Sequence, residues 1–253
     1  MKQLKNIQNL SKFFELLVNE SDGERFVNNK KNNLIIKVKE NGYIPKTGLL
    51  LVEYLYESDI TGNYAIDIGT GETGIIAQSL YAEKRFTNIY AVDIDNNAIR
   101  HAKTSSSIAD KIIWKNSNCF DSIDKSIKFD LIISNPPQMP VKENASLHDD
   151  GGTDGLDIIK IILQNGINYL TQNGKIIIQC FDFLVDSGKI EEIAKLSNLK
   201  YQTKKKIRRN IRPNGKTLEN MKWITKEYPN FKLKYSKQSM PYHFIKILEF
   251  VFM

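Results

Sequence analysis

The segment Phe129-Asp130-Leu131-Ile132-Ile133-Ser134-Asn135-Pro136-Pro137 is a short apolar run that meets an asparagine and a pair of prolines. Neither proline has an N–H to offer a β-ladder, and each holds the residue before it in an extended conformation. The pattern predicts a strand ending in a stiff turn, at the carboxyl edge where open α/β sheets place their ligands. Such a turn offers the Asn135 side-chain oxygen and the Pro136 carbonyl as neighbouring acceptors. Two acceptors side by side can hold one –NH2 group through both of its hydrogens. The candidate catalytic residues are therefore Asn135, Pro136 and Pro137, and the chemistry they suit is chemistry on nitrogen. Asn135, Pro136 and the next residue, Gln138, form the candidate substrate contact. The plain structural alternative is an edge strand that happens to end in prolines.

A second block, Ala65-Ile66-Asp67-Ile68-Gly69-Thr70-Gly71-Glu72-Thr73-Gly74, reads as a strand, a glycine-rich turn and a helix start. Gly69 and Gly71 allow a sharp bend and close approach to a ligand, and Gly74 allows tight helix packing. A further strand ends in Ala91-Val92-Asp93-Ile94-Asp95. A carboxylate about 20 residues past the glycines can accept both ribose hydroxyls of an adenosine cofactor. Taken literally, the spacing also fits a nicotinamide dinucleotide. Asp67 argues against that reading, because a carboxylate beside the glycines repels a pyrophosphate. S-adenosylmethionine has ribose hydroxyls, an ammonium and a sulfonium but no phosphate, and so suits Asp67 and Asp93 better. The candidate cofactor residues read here are Asp67, Gly69, Thr70, Gly71, Gly74, Asp93 and Asn135.

The elements that must position these residues follow a strand–helix rhythm from Tyr64 onward. Strands are predicted at Tyr64–Ile68, Asn88–Val92, Ile112–Lys115, Phe129–Ile133 and Lys175–Cys180. Helices are predicted near Gly74–Lys84, Asn96–Ala109, Gly155–Leu170 and Lys189–Leu199. The alternation implies a parallel sheet with crossover helices. Leu4, Ile7, Leu10, Phe13, Phe14 and Leu17 recur at helical spacing, which predicts a helix over residues 4–18. A hairpin of Arg25–Val27 with Leu34–Val38 follows, then a helix from Thr47, with Thr47 as its N-cap, to Leu55. Near the end, strands at Tyr201–Ile211 and Phe244–Phe252 flank a long insert with a helix at Thr217–Glu227.

These blocks together resemble the class I S-adenosylmethionine-dependent methyltransferases, in particular the HemK/PrmC-like group, which methylates a glutamine side-chain amide in peptide release factors. Asp67–Gly74 carries the likeness, with Asp130–Pro137 (similar to that group's Asn-Pro-Pro-Tyr motif) and the later loop Asp150-Gly151-Gly152-Thr153-Asp154-Gly155-Leu156-Asp157. Gly42–Thr47 is similar to the segment ahead of the group's first core helix. The resemblance spans residues 35–200 and implies a Rossmann-like class I methyltransferase fold. That is a seven-stranded, mostly parallel sheet with helices on both faces, here with a short N-terminal helix and hairpin extension. Residues 1–46 read as the extension and 47–253 as the methyltransferase domain. The insert at 212–243, unusually long against the group and carrying Met221, Trp223, Tyr228 and Phe231, reads as a substrate lid, with a decorated β-hairpin that only extends the sheet as the alternative. The resemblance also adds Ile94, Asn118 and Cys119 to the cofactor set, with Asn118 where relatives place an aspartate on the adenine amine. Gln138 departs from the pattern: it stands where the group has an aromatic, which argues against a base flipped out of a nucleic acid.

Bulk properties set outer limits. The chain has 253 residues, 41% hydrophobic and 26% charged, which is enough for one sizeable α/β core. Cys119 and Cys180 lie far apart and the histidines are scattered, so no metal spacing is visible and a reducing, cytoplasmic setting is expected. No apolar run is long enough to span a bilayer, so no membrane partner is expected. The reading is an N-methyltransferase for an amide or amine of a protein or small molecule. A net charge of +7 and the run Lys204–Arg212 keep a tRNA, rRNA or DNA N-methyltransferase as the second reading. A NAD-dependent oxidoreductase is the third.

Overall fold

A computed structural model describes residues 4–141, 148–211 and 215–253. The chain forms two compact units that divide at the Asn135–Pro136 bond.

The first unit opens with four antiparallel strands in sequential order, β1 (Leu4–Asn9), β2 (Phe14–Asn19), β3 (Arg25–Asn29) and β4 (Leu34–Val38). The helix expected over residues 4–18 is not formed. Ile7 is 52% exposed, so the helical spacing of apolar residues does not mark a buried face. The chain turns at Leu10 and Ser11, whose N–H groups both donate to the Phe14 carbonyl. β2 then pairs with β3, setting Leu16 against Val27 and Leu17 against Phe26. Non-local pairing thus overrides the local period. The Arg25–Val27 and Leu34–Val38 hairpin is present as β3 and β4.

α1 (Lys46–Tyr56) follows Pro45 and buries Leu49, Leu51, Val52 and Leu55. At about 1.5–3 kcal/mol per buried side chain, that face alone fixes the helix against the core. The Phe13 N–H donates to Glu53 at 3.2 Å and the Asn29 amide to the Tyr56 hydroxyl, which ties the antiparallel sheet to α1. The parallel part of the unit comprises β5 (Gly62–Ile68), α2 (Ile75–Ala82), β6 (Phe86–Asp93), α3 (Asn96–Ala102), β7 (Ile113–Asn116) and β8 (Phe129–Ser134). Its strands run in the order β8-β5-β6-β7, all pairs parallel. Ala65–Ile68 and Leu131–Ser134 are buried throughout, as expected of strands covered on both faces.

The second unit contains α4 (Asp157–Gly166), β9 (Leu170–Phe181), α5 (Asp182–Asp186), α6 (Lys189–Leu196), β10 (Leu199–Asn210), α7 (Lys216–Glu219), α8 (Met221–Glu227), β11 (Lys234–Tyr235) and β12 (Pro241–Phe252). β12 pairs antiparallel with β9, β10 and β11. Its core is aliphatic, with Ile176, Ile177, Ile178, Ile245, Ile247 and Leu248 each fully buried. Residues 212–214 of the expected insert, and with them Arg212 of the basic run, lie outside the described residues. Among the described residues no helix is long and apolar enough to cross a membrane.

Candidate active site

Parallel register decides what meets what in the first unit. Ile68 of β5 pairs with Ser134 of β8 on one side and with Val92 of β6 on the other. Gly69, Asp93 and Asn135 are each the next residue along, so three strand ends deliver them at one level of adjacent strands about 4.8 Å apart. The Ser134 hydroxyl donates to the Ile68 carbonyl at 2.8 Å, which binds the two central strand ends together.

The glycine turn is tied to the end of β6. The Gly69 and Thr70 N–H groups both donate to the Val92 carbonyl, at 2.9 and 3.0 Å. The Gly71 N–H donates to Asp93 Oδ2 at 2.8 Å, and the Asp95 N–H to Asp93 Oδ1 at 2.9 Å. Asp93 therefore orders the loop while its half-exposed carboxylate keeps lone pairs for a ligand. A Cβ built on Gly69 or Gly71 would meet no atom within 4 Å, so both glycines border open space at the strand ends. Gly74 has another function. It is left-handed at φ 54°, and a Cβ there would run into the Trp114 indole, so it lets β7 close over the start of α2.

Asp67 is fully buried beneath this turn. Its Oδ2 accepts from the Thr70 hydroxyl at 2.6 Å, and its Oδ1 has no hydrogen-bond partner among the described residues. Burial pushes its acid from 3.8 up to about 7, against the pull of the Thr70 hydroxyl. Thr70, expected at the cofactor, turns its hydroxyl inward to Asp67 and is itself buried. Ile94 is 58% exposed beside Asp93. The Asn116 amide donates to the Asp93 and Ile94 carbonyls at 2.9 and 2.8 Å, and the Ser117 N–H donates to the Asp93 carbonyl at 2.9 Å. These bonds bring Asn118 and Cys119 up to the Asp93 corner. Asn118 is exposed there, whereas the Cys119 side chain is buried and its thiol is pushed up to about 11 by that burial.

An adenosyl cofactor fits this corner. Open space over Gly69 and Gly71, a carboxylate at the end of β6, an exposed aliphatic side chain next to it and an unpartnered buried carboxylate oxygen are the groups such a ligand needs. Gly69, Gly71, Asp93, Ile94 and Asn118 could touch it. Asp67, Thr70 and Gly74 shape the turn from beneath.

Asn135 closes the first unit. Its Oδ1 accepts from the Thr47 hydroxyl at 3.1 Å, which fixes which way the amide faces. Thr47 was expected to cap α1. Instead no side chain caps that helix, and Thr47 lies inside its first turn with its hydroxyl turned to Asn135. A single sequence carries no signal for such a pairing across 88 positions.

In the second unit Pro136 is buried and Pro137 half-buried. Gln138, expected as a substrate contact, is buried and its amide is committed to backbone. Its Nε2 donates to the Pro136 carbonyl at 3.2 Å and to the Gln179 carbonyl at 2.9 Å, and its Oε1 accepts from the Phe181 N–H at 2.7 Å. This geometry corrects the expectation: Gln138 anchors the turn to the end of β9. One lone pair of the Pro136 carbonyl is thereby occupied and one remains. The Asp150–Asp157 loop lies along the same segment, with Met139 bridged to Asp150, and Gly151 packed where a Cβ would strike the Gln138 backbone. A cleft of about 640 Å³ lined by Leu34, Gly62, Arg85 and Phe86 lies at the amino ends of β5 and β6, opposite the strand ends that carry Gly69 and Asp93.

The sequence pattern of the methyltransferase small domain matches residues 41–206. The chain is 38% identical over 128 residues to a bifunctional methyltransferase of Rickettsia prowazekii, covering 45% of this chain and 24% of that protein. It is 31% identical over 219 residues to a release factor glutamine methyltransferase of Leptospira interrogans, covering 75% of this chain and 74% of that protein. A methyltransferase structure from Pyrococcus furiosus superposes with a TM-score of 0.52 at 18% identity, covering 84% of this chain and 88% of that one. The fold is thus the α/β Rossmann-like methyltransferase fold, a sheet of mostly parallel strands with helices, as the resemblance implied. The chain spans only 24% of the length of the bifunctional relatives it matches. The pattern match and the Leptospira likeness together show that the chain belongs to the methyltransferase small domain family.

Proposed function

We propose that this protein is an S-adenosylmethionine-dependent N-methyltransferase that acts on a side-chain amide of a protein, with a release-factor glutamine as the first substrate to test. One observation carries the reading. The Ile68–Ser134 register brings the glycine turn and Asn135 out of the same end of two adjacent strands. The names of the Leptospira relative and of a Rhodopirellula baltica relative, both release factor glutamine methyltransferases, support the substrate class.

When bound, the cofactor supplies an electrophilic methyl group on its sulfonium. The protein's part is positioning, which is worth up to about 7–11 kcal/mol in a well-aligned reaction. Asn135 Oδ1, oriented by Thr47, accepts one N–H of the substrate amide. The Pro136 carbonyl, held by Gln138, accepts the other. Together they turn the nitrogen lone pair out of conjugation and toward the cofactor corner. No strong base is needed before attack, because the nitrogen proton becomes acidic only once the methyl has arrived.

On this reading residues 47–253 carry the transfer chemistry and residues 1–46 form an extension ahead of it. The 212–243 insert covers the substrate, and the protein works in the cytoplasm. Supporting the insert's part, the Tyr228 hydroxyl donates to the Asp154 carbonyl of the glycine-rich loop, and Lys189 pairs with Glu227. A nucleic-acid methyl acceptor is the weaker reading, since no aromatic follows Pro137 to stack on a base. The test is transfer of labelled methyl from S-adenosylmethionine to a glutamine-containing release-factor peptide. Asn135→Ala should abolish transfer and leave cofactor binding nearly intact. Transfer to nucleic acid but not to peptide would reverse the assignment.

A further inference from the structure

The antiparallel pairing of β10 with β12 sets Lys206 opposite Lys246, Arg208 opposite Phe244 and Asn210 opposite Tyr242. Opposed residues share a face of the sheet. β11 adds Lys234 opposite Tyr242. Cations on this face lie over rings. Lys206 Nζ is 4.2 Å and Lys234 Nζ 4.8 Å from the Phe244 ring centre, and the Arg208 guanidinium is 4.0 Å from that of Tyr242. The two rings meet edge-on at 5.6 Å. Lys206, Arg208 and Lys234 are exposed and the rings half-buried.

Neighbours of this trio are ion-paired and the trio is not. Lys246 pairs with Asp186, and Lys204 with Glu249 at 3.3 Å. Among the described residues Lys206, Arg208 and Lys234 take part in no ion pair. Two ammonium groups thus share one phenyl ring; the Asp182 carboxylate, which accepts from the Phe244 N–H at 3.0 Å, attracts Lys234, but neither ammonium is ion-paired and both keep capacity for an arriving anion. Lysines on an edge strand also deter edge-to-edge pairing. That explains Lys206, but neither Lys234, which is on β11, nor the rings beneath the charges. Lys206 and Arg208, two residues apart on a strand, are spaced by about 6.8 Å. Ordered cations at this repeat, interleaved with aromatic edges, suit a chain of phosphates carrying flat bases better than an acidic peptide.

We propose that this face binds the phosphodiester backbone of single-stranded RNA. The choice of RNA over DNA rests on the proposed function, whose substrate works in translation; the polyanion chemistry does not.

The test is fluorescence anisotropy of the full chain with a labelled single-stranded RNA of about 16 nucleotides, between about 50 and 200 mM salt. Removing three phosphate contacts from a single strand should reduce the slope of log affinity against log salt by about 2. Lys206→Gln/Arg208→Gln/Lys234→Gln should show that change, with affinity at the lowest salt down at least about tenfold. A charge-matched variant, Lys30→Gln/Lys103→Gln/Lys125→Gln, should bind like the parent. Should the triple variant fold poorly, each single substitution should give about a third of the slope change. Equal losses in both triple variants, or no binding by the parent, would overturn the proposal. So would tighter binding of polyglutamate than of RNA, or equal affinity for DNA. Methyl transfer to a free peptide should survive in the triple variant, so this assay and the test of Asn135 fail independently.

Discussion

Asp67 carries the clearest thermodynamic consequence of the cofactor turn. Burial lifts its acid from 3.8 to about 7 in the folded chain, a gap of about 3 units, and at 1.36 kcal/mol per unit this is about 4 kcal/mol. The sign follows from proton counting. Below about pH 4 Asp67 is protonated both folded and unfolded, and its favourable contribution is whole. Between there and about pH 7 the folded state keeps a proton that the unfolded chain has released, so stability falls as pH rises. Above about pH 7 the loss is complete. Asp67→Asn abolishes this titration and still offers an amide oxygen to Thr70. An amide nitrogen in the unpartnered place of Oδ1 adds a constant cost of about 1–3 kcal/mol, so the readout is the pH slope and not the absolute stability. In urea unfolding without cofactor, the variant's stability relative to the parent should improve by about 4 kcal/mol between about pH 4 and pH 7.5. In thermal melts this is a relative shift of roughly 10 °C.

Cofactor binding adds a second limb. A cationic ligand near Asp67 favours its ionised form, so binding below about pH 7 must release the proton first. Affinity for S-adenosylmethionine, measured by calorimetry, should rise about tenfold per pH unit up to about pH 7 and then level off. The variant's affinity should be flat over the same range. Parallel stability curves for parent and variant would mean that Asp67 does not titrate there, and the argument for a cation over this turn would go with it.

Gln138→Leu should strip the Phe181 N–H and the Gln179 carbonyl of a buried partner, for a loss of about 2–5 kcal/mol in chemical unfolding; an unchanged midpoint would show those bonds are replaced at no cost. Gln138→Glu keeps the acceptor for Phe181 but sets a carboxylate against two carbonyls, so its stability should recover toward acid pH, where the parent's does not follow it. Gly74→Ala combines a positive φ with overlap on Trp114 and should destabilise by about 1–3 kcal/mol. Trp114→Leu should relieve part of that loss in a double-mutant cycle, and strict additivity would show the indole is not the obstacle. Asp93→Ala leaves the Gly71 and Asp95 N–H groups without their acceptor and should weaken cofactor binding by at least about tenfold, read by calorimetry; equal affinity would remove Asp93 from the site.

Much of this was legible because the decisive signals are local. Glycines and prolines punctuate the chain at Gly69, Gly71, Pro136 and Pro137, and the aliphatic runs before them have no other use than buried strands. β5, β6, β8 and α2 accordingly lie within a few residues of where the sequence places them. What was not legible depends on partners far away in the chain. Leu4–Leu17 has helical spacing, yet β2 exists because β3 offers it a ladder. Thr47 reads as a helix cap from its neighbours alone, and only the folded unit shows it bound to Asn135. Gln138 looked like a side chain offered to a ligand because it follows the prolines directly. Its three backbone partners lie in its own turn and on β9, and nothing in its neighbours announces the bonds to Gln179 and Phe181.

Under the proposed function, that last residue changes how recognition works. An aromatic after Pro137 would offer a flat face to a substrate and would leave the Pro136 carbonyl to be positioned by the backbone alone. Glutamine gives up the face and holds the carbonyl through a hydrogen bond whose other anchors are strand groups of β9. The Pro136 carbonyl is then held by an amide whose three hydrogen bonds all go to backbone, and breaking any of them in a buried site is costly. Selectivity in such a site comes from the fixed directions of two acceptors and not from stacking area. A planar primary amide meets both acceptors at once. A secondary amide has only one N–H and leaves the other acceptor without a donor, so on the proposed function the monomethylated product should bind more weakly than the substrate and a second methyl transfer should be disfavoured.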